Sequence, residues 1–183
     1  MSDDLLVRCC APTLAGIKTG SLFSCPFEDR EELLREIRRL NRAFSPRGLY
    51  LIPLRCGEGK ALLYLFRPAE LRRDLSGAAA RQILAEAGYT SEGTGRCVQC
   101  LRERLSRGGD FPHEIGLFLS YPAEDVRGFI DNHARNCKLA GPWKVYGDVE
   151  QAKRTFEKYR KCTASYCRSL RAGLSLAQLT VAI

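Results

Sequence analysis

The sequence has no apolar run approaching the length of a membrane span, and its opening, MSDDLLVRCC, puts two acids where a secretory leader needs a basic region. Those absences predict a cytoplasmic protein with no membrane role. There is also no internal repeat, no low-complexity tract and no linker long enough to demand a second domain. The 183 residues are therefore expected to form one domain, 1–183. Histidine is scarce: His113 and His133 are the only two.

Several reaction motifs are missing as well. A Walker loop needs G-x-x-x-x-G-K-[ST], because successive amides wrap the phosphates while the lysine and hydroxyl reach phosphate and metal. Gly16-Ile17-Lys18-Thr19-Gly20-Ser21 has those ingredients in another order, and Gly59-Lys60 is preceded by Leu54 and followed by Ala61 at the positions that matter. Lys18-Thr19-Gly20 resembles a penicillin-binding motif, yet no S-x-x-K supplies the nucleophile. His113-Glu114 begins an H-E-x-x-H pattern that Leu117 ends, which excludes a zincin.

What is present is an ordinary globular composition, 45% hydrophobic and 27% charged, together with nine cysteines and a net charge of +8. An odd cysteine count cannot pair completely, and a reducing compartment would keep these residues as thiols, most of them as small buried hydrophobes. Most of the positive surplus lies between Arg135 and Arg171, where ten cationic residues stand against three acids. An acidic partner would meet that region, through Lys144, Arg154, Lys158, Lys161 and Arg168.

The pattern predicts an α+β fold: a small mixed sheet with a β-hairpin, covered by several helices and a long C-terminal helix. Ser21–Phe23 reads as a short strand. Leu33, Leu34, Ile37, Leu40 and Phe44 then mark an amphipathic helix. GLYLIPLRC and KALLYLFRP flank Gly57-Glu58-Gly59 as a hairpin, with Pro53 indicating an edge strand or a bulge. Pro68 opens a helix, and further helices are expected at 78–87 and 95–106, punctuated by Gly88 and Gly108-Gly109. HEIGLFL, residues 113–119, reads as a buried strand, Pro122 as a helix's first residue and 143–146 as a short strand. Asp148 caps one long helix, with Gln151 in capping-box position.

Each candidate site has a structural alternative. Thr13, Gly16, Lys18, Thr19 and Ser21 could form an anion-binding nest, or a loop whose glycines serve the backbone. Cys97-x-x-Cys100 at a helix start would have a lowered first pKa if it were a redox pair. The segment before it reads as helix where a thioredoxin needs a strand, however, so packing thiols are the first reading and metal ligation a weaker one. His113 or Glu114 could act as acid or base on a small anionic substrate clamped by Lys18, with Lys18, Thr19, Ser21, His113 and Glu114 lining one pocket. A basic last helix near Tyr159, Tyr166 and Trp143 admits nucleic acid, although no nucleic-acid module fits.

The chain resembles an uncharacterised bacterial family catalogued as domain of unknown function 3793. The resemblance rests on CAPTLAGIKTGSLF (10–23), on FPHEIGLFLSYP (111–122) with Glu124-Asp125-Val126, and on Trp143-Lys144-Val145-Tyr146 before the last helix. It implies one intact domain, and an association with flavodoxin and ferrous-iron genes in anaerobic bacteria. By that association the resemblance implies a non-catalytic accessory or binding protein in iron or redox metabolism that docks an acidic electron carrier such as flavodoxin. Iron is a conceivable cofactor that nothing in the sequence requires.

Overall fold

Leu33, Ile37, Leu40 and Phe44 recur at three- and four-residue steps and all are buried, so helix α2 (Arg30–Phe44) lays one apolar stripe into the core. Asp29 caps it through Glu31 N at 2.8 Å. A computed structural model describes residues 1–57, 59–90, 93–107 and 110–182 of the chain. These divide into two compact units, Met1–Ala69 with Tyr159–Ile183, and Glu70–Lys158. Among the described residues no helix is long and apolar enough to cross a membrane.

In the first unit, strands β1 (Gly20–Pro26), β2 (Tyr50–Cys56) and β3 (Lys60–Phe66) form a sheet in the order β1-β3-β2. The hairpin is the one expected, although Glu58 of its turn lies outside the described residues. Its return strand β3 takes the place between β1 and β2 and pairs antiparallel with both. The sheet is consequently antiparallel throughout rather than mixed, because the two strands that run parallel, joined by α2, never hydrogen-bond to each other. Pro53 lies on the edge strand, where its missing N–H costs no ladder bond, and the register shifts between Pro53 and Arg55. Both readings of that proline hold.

Helix α1 (Asp3–Leu14) was not expected, since Cys9-Cys10 and Pro12 obscure its pattern. Ser2 caps it through Leu5 N at 3.2 Å. Its buried face, Leu6, Val7, Cys10 and Leu14, meets Phe23, Cys25, Leu63 and Leu65 in one core with the α2 stripe and with Leu176 and Leu179 of the C-terminal segment. Asn41 reaches from α2 to the edge strand: its amide donates to Leu51 O and accepts from Leu51 N, both at 2.8 Å. That covers a stretch of open strand edge.

Arg67, 2% exposed at the end of β3, donates to Thr13 O (2.9 Å), Leu14 O (3.0 Å), Arg47 O (3.1 Å) and Val181 O (2.7 Å). One guanidinium thus ties the last turn of α1, the 3-10 turn Ser45–Arg47 and the C-terminal segment together. Its charge also sits at the negative end of the α1 dipole.

The second unit is mostly helical: α3 (Pro68–Ser76, whose first residues belong to the first unit), α4 (Ala78–Glu86), α5 (Thr94–Ser106), α6 (Ile115–Phe118) and α7 (Ala123–Asp131). A two-stranded hairpin follows, β4 (Leu139–Ala140) with β5 (Lys144–Val145). Gly108-Gly109 lies outside the described residues. HEIGLFL is not a strand. His113 and Glu114 form a turn, and Ile115–Phe118 is a single buried helical turn, because an apolar run buried on all sides carries no periodicity to separate strand from helix. Pro122 is the cap of α7 rather than its first residue.

Helix α8 (Val149–Arg171) runs unbroken for 23 residues, from the second unit into the first. Asp148 caps it through Gln151 N at 2.9 Å. The reciprocal half of a capping box is not made by Gln151, whose side-chain oxygen accepts from Arg154.

Candidate functional site

In the first unit, the turn between α1 and β1 shows what CCAPTLAGIKTG does. Gly16 takes φ +73°, a left-handed conformation suited to glycine, and reverses the chain after the helix. Gly16 N donates to Thr13 O at 3.2 Å, and Ile17 N and Lys18 N donate to Pro12 O at 2.9 and 3.1 Å. The amides that an anion nest would need are thereby engaged by carbonyls at the helix end. Thr13 and Ser21, both buried, share a hydrogen bond of 2.9 Å, and Thr19 is buried with its carbonyl accepting Arg67 N.

Lys18 lies in the same unit, with Nζ 5.7 Å from the centre of the Tyr159 ring. Burial lowers its pKa to about 8, opposed by the nearby Cys10. Burial raises the Cys10 thiol well above its ordinary value, with Cys9 adding to the rise and Lys18 and Ser21 opposing it. The thiol is therefore a protonated packing group.

No disulfide joins any of the nine cysteines. Cys10, Cys25 and Cys97 are buried, Cys9 is exposed and the other five are half-buried, so fewer are fully buried than expected. Cys97 and Cys100 lie in α5, and burial, followed by the neighbouring Cys100, raises the Cys97 pKa. That is opposite to the lowering a redox pair requires. Among the described residues no group of three or more His, Cys, Asp or Glu side chains is placed to hold a metal ion.

In the second unit, His113 and Glu114 are neighbours in sequence that face different surroundings. Glu114, 4% exposed, accepts a hydrogen bond from Tyr89 Oη at 2.9 Å and has Arg104 Nε at the same distance as an ion pair. Burial, reinforced by that carboxylate, raises the Tyr89 pKa and keeps the phenol a donor. His113 is exposed, with its ring edge-on to Phe129 at 5.0 Å between centroids.

His113 lines a cleft of about 370 Å³ formed by residues between 111 and 129 and by 140–144, which overlaps two of the segments that carried the resemblance, 111–126 and 143–146. Tyr121 and Trp143 stack at 4.8 Å in its wall, and Phe156 meets the indole edge-on at 4.4 Å. Asp125 anchors the wall. Its carboxylate accepts Trp143 Nε1 at 2.7 Å, Tyr146 N at 2.7 Å and Gly147 N at 2.8 Å. Gly116 keeps the floor close, since a Cβ there would lie 2.8 Å from Val126 and 3.0 Å from Tyr121. Lys144 also turns into this cleft, donating to Ala134 O at 2.6 Å with Nζ 5.9 Å from the Phe129 ring.

Of the residues expected to bind a partner, Arg154, Lys158, Lys161 and Arg168 are exposed and fall within about 80° of one another around α8. Lys144 belongs with His113 instead. Lys18 is a residue of the first unit, while His113 and Glu114 belong to the second. Sequence reading missed Asp125 as an anchor and Arg67 as a clasp. An acid in a helix's first turn and an arginine after a strand are both ordinary surface patterns, so neither carries a signal of its own.

A sequence model of the family described as protein of unknown function (DUF3793) matches residues 6–180, and the chain belongs to that family. Comparison with curated proteins and with solved structures gives no match.

Proposed function

We propose that this member of the DUF3793 family is a non-catalytic binding protein of iron or redox metabolism, docking an acidic partner such as the electron carrier flavodoxin through the cationic stripe of α8. The observation that carries the reading is the stripe itself: Arg154, Lys158, Lys161 and Arg168 all face solvent along one side of a 23-residue helix. Such a surface attracts an acidic protein over a long range and sets its association rate.

Chemical groups that a reaction would use are otherwise occupied, which favours binding over catalysis. Glu114 is held by Tyr89 and Arg104, Thr13 and Ser21 are held by each other, and the Cys10 and Cys97 thiols are pushed toward the protonated form. Nucleic acid is disfavoured, because of the three rings that reading used Trp143 is buried against Tyr121 and Phe156, and Tyr159 and Tyr166 are half-buried.

The test is titration with flavodoxin across a salt series, using the wild type and a Lys158→Glu, Lys161→Glu variant. Affinity should fall steeply between low and physiological salt, and the reversal should slow association at least about tenfold with the thermal midpoint nearly unchanged. Binding indifferent to both salt and the reversal would sink the proposal. Tight binding of single-stranded nucleic acid at physiological salt would favour that rival.

A further inference from the structure

We propose that the cleft of the second unit is a binding site for a planar aromatic monocarboxylate. This goes beyond partner docking and rests on different residues. The cavity, about 370 Å³, is within the range of small-molecule sites and accommodates a bicyclic aromatic acid. Its lining is mainly apolar, and Phe111, 46% exposed, leaves an aromatic side chain at the site without a full protein covering. Ring faces and edges from Phe111, Tyr121 and Phe129 favour a flat ligand over a branched aliphatic one.

Besides the Tyr121 phenol, the ionisable groups along the cleft are His113, Asp125 and Lys144. Asp125 is turned toward its three donors, the Trp143 indole and the amides of Tyr146 and Gly147, so its charge is compensated within the wall. Lys144 donates one of its three ammonium hydrogens, to Ala134 O, and retains two. His113 offers an exposed imidazole set edge-on against Phe129. One ammonium and one imidazole beside apolar rings match a single negative charge. A phosphate dianion would draw on more cationic donors than this one ammonium, and no arginine is among the described residues that line the cleft.

Gly116 and Gly141 complete the shape. A Cβ at Gly116 would crowd Val126 and Tyr121, and one at Gly141 would strike the Phe156 ring that braces Trp143. Both positions thus keep the wall close behind the cavity. Residues 140–144 follow helix α7 in the chain, and the Asp125 carboxylate in that helix holds Trp143 to it.

The experiment is calorimetric titration of the full chain with naphthalene-2-carboxylate and with its neutral counterpart naphthalene-2-carboxamide, with emission from Trp143, the only tryptophan, as a second readout. The acid should bind one saturable site about tenfold or more tightly than the amide, as expected when a charged acceptor meets an ammonium. Lys144→Met should weaken the acid far more than the amide and so erase that preference, and Phe129→Ala should weaken both compounds. His113→Ala, at an exposed position outside the core, should weaken the acid at least about threefold. Absence of saturable binding by either compound overturns the proposal. So does acid binding that keeps its full strength and its preference in both Lys144→Met and His113→Ala.

Discussion

The carboxylate of Asp125 accepts the indole N–H of Trp143 at 2.7 Å, and its other oxygen accepts the amides of Tyr146 and Gly147. A side chain in the first turn of α7 therefore holds the segment that leads into α8. Asp125→Ala removes a charged acceptor from three donors and should cost about 3 kcal/mol, with Asp125→Asn costing less because one oxygen survives. Urea denaturation followed by Trp143 emission measures both. A loss below about 1 kcal/mol for the alanine variant would show that the three donors find other partners.

Arg67 donates to carbonyls from three separate segments, which no shorter or unforked side chain can reproduce. Arg67→Met should destabilise the protein by about 3 kcal/mol or more, and Arg67→Lys should restore less than half of that. Thermal unfolding tests the pair. Full rescue by lysine would mean that the charge matters and the fork does not.

Lys18 supplies a pH dependence whose sign is determined. Its pKa falls from 10.5 to about 8 in the folded protein, so between those values the unfolded chain binds more protons and folding gains stability as pH rises. Below pH 8 the lysine is charged in both states and the burial penalty is constant. The stability of the wild type relative to Lys18→Met should therefore climb from pH 8 to pH 10.5, by an amount of order 1 to 3 kcal/mol. A flat or falling difference over that range contradicts the burial of this amine.

The thiols should react in order of exposure. Cys9 should be labelled first by an aromatic disulfide reagent, while Cys10 and Cys97, buried and with raised pKa values, should react only when the structure opens. Mass spectrometry of partly labelled protein gives the order of labelling. Early labelling of Cys97 would restore the redox reading of Cys97-x-x-Cys100.

Where local signals agree, structure was legible beforehand. The stripe of α2, the glycine turn between β2 and β3, Pro53 on an edge and Asp148 ahead of α8 each follow from rules that act within a few residues. Helix α1 was not legible, because its buried face includes cysteines and a proline that periodicity discounts. HEIGLFL was misread for a related reason: a short run buried on every side offers no pattern, and only its neighbours select a helical turn. The candidate cleft was half legible. His113 and the segments around it stood out, whereas Lys144 was assigned to the docking surface and Asp125 was given no role of its own.

The sequence by itself determined the α+β class, the helix and hairpin of the first unit, the long basic helix and the family, since these depend on local periodicity, turn chemistry and motif content. Tertiary structure alone decided which polar groups are engaged. Burial lowers the Lys18 pKa and raises those of Cys10 and Cys97, the amides after α1 turn to Pro12 and Thr13 rather than outward, and Asp125 faces an indole 18 residues away. Each of those outcomes depends on dielectric surroundings and on partners distant in the chain or created by a turn, and a linear pattern carries neither.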